Sequence, residues 1–143
     1  MGGMNAIPAH NDYVNHIYRA QVVRYVDGDS FHVLLTFWPS KLTDVGFGLQ
    51  LDGHGILRLE VRVNGCDAPD VPHNAEKKAA SAYLASLIPL GSFVRAQTLH
   101  PLQGNGFEKY GRWLTDIWLA DGRRLDQTMI EAGHAVPYHG GTR

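Results

Sequence analysis

Arg19–Phe37 reads RAQVVRYVDGDSFHVLLTF, and this stretch decides the fold. Arg19 to Val26 roughly alternates apolar and polar residues, with Ala20, Val22 and Tyr25 among the apolar ones, as a strand with one buried face does. Asp27-Gly28-Asp29-Ser30 supplies turn chemistry, and Phe31–Phe37 reads as a second strand. The two predict a hairpin. Downstream, Trp38–Gly55 carries Pro39 and the glycines 46, 48, 53 and 55. It is expected as a long irregular insertion, either a mobile substrate-side loop or a cover for barrel surface. Ile56–Val63 (ILRLEVRV) predicts the third strand, running into Asn64-Gly65 and the proline-containing segment Asp67–Pro72.

The spacing then predicts a helix over Ala75–Ile88. Ala79, Ala80, Tyr83, Leu84, Leu87 and Ile88 share one face, Asn74 is placed to cap it, and Pro89 and Gly91 end it. Ser92–Leu99 and Arg112–Leu119 predict strands four and five, separated by the glycine-bearing loop Pro101–Gly111. Asp126 is expected to cap a short helix through Ala132 that Gly133 stops. Three hairpin-linked strands, a helix and two more strands imply a mainly β, α+β fold. The expected form is a five-stranded OB-fold Greek-key barrel with one long and one short helix. Residues 1–18 are expected as an N-terminal extension and 19–143 as the domain, with 38–55 as the inserted loop.

A chain of 143 residues suits one domain with a proper core. Lys plus Arg number 13 against 14 Asp plus Glu, a net charge of -1, so any nucleic-acid contact is expected to be local, which argues against a general DNA-coating protein and leaves an enzyme open. The single Cys66 excludes an internal disulfide and a multi-cysteine zinc site, and is expected as a small buried hydrophobe. The polar N-terminus lacks the apolar core of a signal peptide, and no apolar run approaches the roughly 20 residues of a membrane span. A cytoplasmic protein, monomeric and without membrane contact, is expected, a phage- or plasmid-encoded one included.

Charged groups gather at element ends in three places. Asp27-Gly28-Asp29 puts two carboxylates on a tight turn. Arg62 and then Asp67-Ala68-Pro69-Asp70 follow the end of the third strand. Lys109-Tyr110-Gly111-Arg112 stands before the fifth. Each has an ordinary explanation alone: a turn, a loop, a surface arginine, a strand junction. Together they supply oxygen ligands for a hard divalent cation and planar cations for phosphate. Phosphodiester cleavage needs an oriented water and positive charge on the phosphoryl oxygens, and that set provides both.

On these residues the chain resembles the staphylococcal nuclease family over roughly residues 19 to 138. Val26-Asp27-Gly28-Asp29-Ser30, Arg62 with Asp67-Ala68-Pro69-Asp70, Lys109-Tyr110-Gly111-Arg112, and Ile117 with Asp121-Gly122 carry the match. The resemblance implies a Ca²⁺-dependent endonuclease of low sequence specificity, acting on DNA or RNA and leaving 3′-phosphate ends, with Mg²⁺ or Mn²⁺ as other candidate ions. It implies that Asp29 and Asp67 hold the metal with the Ala68 carbonyl, that Asp27 supports them, and that Arg62 and Arg112 clamp phosphate. Asp70 stands where the family has the glutamate that orients or deprotonates water, and Lys109 and Tyr110 match contacts to a terminal phosphate. Aspartate at 70 is one methylene short of the family pattern. Arg62→Ala and Arg112→Ala are each expected to cut the rate by several orders of magnitude without unfolding the domain. The competing expectation is a non-catalytic OB module that binds single-stranded nucleic acid or a protein.

Of the remaining residues, His10-Asn11-Asp12 lacks the surroundings of an H-N-H nuclease. His134 and His139 could reach the cleft, although a surface or satisfied place is the ordinary one. Lys77-Lys78 and Arg123-Arg124 are expected on solvated faces, and Tyr83 in the core.

Overall fold

The computed structural model describes residues 11–70, 74–98 and 112–138. In chain order the elements are β1 (Ile17–Asp27), β2 (Ser30–Phe37), β3 (Thr43–Gly46), β4 (Leu49–Leu51), β5 (Gly55–Val63), β6 (Gly65–Asp67), α1 (Ala75–Leu87), β7 (Phe93–Thr98), β8 (Trp113–Trp118), α2 (Leu125–Glu131) and β9 (Val136–Tyr138). Five of the strands close a barrel in the order β1-β2-β5-β8-β7, with β7 pairing back onto β1. All contacts are antiparallel except β5 with β8, which run parallel from Val61↔Trp113 to Val63↔Thr115. This is the five-stranded, mainly β barrel of OB type, with two helices.

Alternation along the strands builds the core. Ala20 and Val22 on β1, Phe31, Val33 and Leu35 on β2, and Leu59 and Val61 on β5 all point inward and are buried. α1 is capped as expected: the Asn74 side chain accepts from the N–H groups of Glu76 and Lys77. Its buried line is Ala80, Leu84 and Ile88, so the apolar face is centred one residue beyond Ala79, which is exposed. The end of α1 is tied to β1 by the Tyr25 hydroxyl donating to the Ile88 carbonyl at 2.8 Å.

Three expectations are corrected. Trp38–Gly55 is not irregular: β3 and β4 form a hairpin, and its Val45 and Phe47 are buried in the same core as the barrel. The Tyr18 hydroxyl donates to the Val45 carbonyl at 2.6 Å, and Phe47 meets Trp113 edge-on with centroids 5.2 Å apart. Residues 11–18 belong with the barrel rather than outside it, since Tyr18 is fully buried and Asn11 donates to the Thr36 carbonyl. α2 has Arg124, not Asp126, at its cap position; Asp126 lies in the first turn and accepts from Arg124 Nε at 2.9 Å. Among the described residues no helix is long and apolar enough to cross a membrane.

Candidate functional site

The two-residue turn Gly28-Asp29 between β1 and β2 opens against the end of β5, where Ser30 pairs with Arg62. Gly28 is required here by space: a Cβ would stand 2.9 Å from that of Ala68 and 3.2 Å from that of Ala80. The turn can therefore pack under α1 and the loop after β6. Asp29, 6% exposed, then faces Arg62, 7% exposed, with Oδ2 3.4 Å from Nη1. Asp29 Oδ2 also accepts from the Ala68 N–H at 2.9 Å, and the Asp29 N–H donates to Asp27 Oδ1 at 3.2 Å.

Arg62 is the hub. Its Nη1 donates to the carbonyls of Val63 and Cys66 at 2.9 and 2.8 Å, and its Nη2 donates to Asp67 Oδ1 at 3.3 Å. One guanidinium thus joins the carboxylates of Asp29 and Asp67. The Tyr138 ring lies 5.6 Å from it, brought there by β9 pairing with β6 at Gly65↔Tyr138. Arg112 reaches the cluster through Ser30: its Nη1 donates to Ser30 Oγ at 2.7 Å, and Ser30 Oγ donates to Asp29 Oδ1 at 3.3 Å.

Burial pushes the Asp29 carboxyl up to about 6, and Asp27 adds to the rise. Arg62 and the Ala68 N–H pull the other way without cancelling it. An anion so placed gains from any further positive charge. Burial likewise pushes the Cys66 thiol up to about 12, so it stays a neutral core group.

Asp67 also walls a cleft of about 270 Å³, with Ala68, Pro69, Asp70, Glu76 and His134 around it. Asp70 is exposed at its edge. His134 stacks on Tyr83 at 4.7 Å, so Tyr83 is only partly a core residue. The structure brings together Asp27, Asp29, Arg62, Asp67, Ala68 and Arg112, and sets Asp70 beside them on the cleft. Lys109, Tyr110 and His139 lie outside the described residues. Ala68 holds Asp29 through its N–H. Sequence reasoning gave no role to Ser30, Tyr138 or Glu76. Only Ser30 carried a signal, as the last residue of the acidic turn.

Among the described residues, no three His, Cys, Asp or Glu side chains gather into a metal-type group. Carboxylates such as those of Asp29 and Asp67 are the donor type that a hard cation takes, and here Arg62 bridges them. No family model matches the chain, and no curated protein matches it either.

Proposed function

We propose that this cluster is the site of a metal-dependent phosphodiesterase that cuts DNA, with RNA as a second substrate, at low sequence specificity and leaving 3′-phosphate ends. One observation carries the proposal: a buried arginine holds two acidic side chains from different elements, and a second arginine stands one hydroxyl away. A surface salt-bridge network has no need to bury Asp29 at the expense of its ionisation.

Asp29 and Asp67 would hold a divalent cation, Ca²⁺ by the family resemblance and Mg²⁺ or Mn²⁺ by the same ligand chemistry. The cation supplies charge for the phosphoryl oxygens and acidifies a water. Arg112 offers its planar fork to the phosphate. Arg62, with one nitrogen already committed to two carbonyls, chiefly fixes the carboxylates and contributes positive charge to the site. Asp70 takes the proton of the attacking water from the edge of the cleft, and Lys109 and Tyr110 bind a terminal phosphate.

Digestion of plasmid and single-stranded DNA over a Ca²⁺, Mg²⁺ and Mn²⁺ series, with end-group analysis, tests this. Degradation with metal, protection by chelator and 3′-phosphate products are expected. An OB module without catalysis would bind oligonucleotide equally with and without metal and never shorten it.

A further inference from the structure

The outer face of the barrel carries a second concentration of chemistry that the acidic cluster does not use. Register places two neighbouring rows of outward side chains across it. One runs Arg58–Leu34–Gln21–Phe93, and beside it lie Thr36 with Ile56, and Arg19 with Arg95 and Trp118. Neither row contains a carboxylate, although the whole chain is net -1. The next outward acids along these strands, Glu60 and Asp116, face His32 and bond to Arg124 and Asn64 respectively.

Arg19 and Arg95 lie over rings rather than pairing with acids. The Arg19 guanidinium lies 3.8 Å from the Phe93 centroid, and that of Arg95 lies 4.9 Å from Trp118. Arg95 Nε is buried and makes no hydrogen bond among the described residues. Stacking on a ring leaves the edges of a guanidinium free to meet phosphate. Between the rows lies a groove of about 610 Å³ whose wall includes Arg19, Phe93, Trp38, Ile56 and Tyr13. Trp38 is 75% exposed and Ile56 65% exposed. Among the described residues, Arg19 is the one charged residue of that wall.

We propose that this groove binds a few nucleotides of single-stranded nucleic acid, with bases stacked on Trp38 and phosphates on Arg19, which lies over Phe93, and on Arg58 and Arg95 beside the groove. Exposed ring faces suit bases without sequence preference, and three arginines without a carboxylate suit a polyanion. A run of Asp and Glu would answer the charge but brings no aromatic ring to the exposed Trp38. From Ser30, at the acidic cluster, to Thr36, in the groove wall, β2 runs six residues, about 20 Å. The groove is thus a separate grip, and it stands whether or not the cluster hydrolyses anything.

The test is fluorescence anisotropy with a labelled twelve-nucleotide oligothymidylate in chelator, so that binding is measured without cleavage. Trp38→Ala and Arg19→Ala, both at exposed side chains, are expected to weaken binding about tenfold each. Arg19→Ala should also flatten the dependence of log Kd on log salt by about 0.7. Cleavage of a dinucleotide too short to reach the groove should be unchanged in Trp38→Ala. Unchanged affinity in both variants, competition by polyglutamate as strong as by unlabelled oligonucleotide, or a dimer that Trp38→Ala dissolves would each overturn the proposal.

Discussion

At the scale of single residues, the two arginines of the site differ in kind. Arg62 satisfies two carbonyls and two carboxylates in a nearly closed space, so Arg62→Ala leaves buried acceptors and charge without a donor. We expect it to destabilise the fold by about 3–5 kcal/mol, against the expectation from sequence that the domain would tolerate it. Arg112→Ala should cost much less stability and still remove activity; thermal melts beside a cleavage assay separate the two. Asp29 predicts a pH dependence. Its folded pKa of about 6 lies above the ordinary 3.8, so the associated stability is complete below about 3.8 and is lost as pH rises through 6. In chelator, melts of the wild type should therefore show this loss between about pH 4 and 6, and Asp29→Asn should lack it. Added metal should reverse it by favouring the ionised form. Asp70→Glu restores a methylene and is expected to raise the cleavage rate about tenfold or more, read as kcat.

At the scale of elements, what was legible depended on length. β1, β2, β5, β7 and β8 run six residues or more, enough for alternation to show, and their bounds agree with the sequence to within about two residues. β6 and β9 have three residues each, too few for any period. They nevertheless position Asp67 and Tyr138 at Arg62. The β3–β4 hairpin was hidden because its apolar pair Val45 and Phe47 is broken up by Gly46 and Gly48, and Phe47 itself has a positive φ of 57°. Asp126 misled for another reason. Its sequence position suits a cap, but Arg124 and the close backbone of Gly65 hold it inside. Gly65, at φ +98°, is where that carboxylate fills the space of a Cβ. Gly65→Ala should lower the melting temperature by several degrees and loosen Asp67, measurable as weaker metal affinity.

At the scale of the molecule, the barrel brings the site together and the insertion supports it. Asp29, Arg62, Asp67 and Arg112 come from the β1–β2 turn, the end of β5, β6 and the approach to β8. Their convergence follows from the parallel β5–β8 contact, which sets the end of β5 beside the start of β8. That long-range pairing has no local signature in sequence. The inserted hairpin touches Trp113, next to Arg112, through Phe47. Phe47→Ala should therefore cost about 3–5 kcal/mol by opening the core. A mobile substrate loop would instead leave the melting temperature unchanged.

The decisive measurement is cleavage of single-stranded DNA with Ca²⁺ by wild type, Arg112→Ala and Asp67→Asn, each shown by circular dichroism to be folded. Rapid metal-dependent cleavage by the wild type, with a loss of at least about a hundredfold in both variants, is the result expected for one cation and one phosphate sharing this cluster. Folded variants that cut as fast as the wild type, or a wild type inert with every metal, would contradict it.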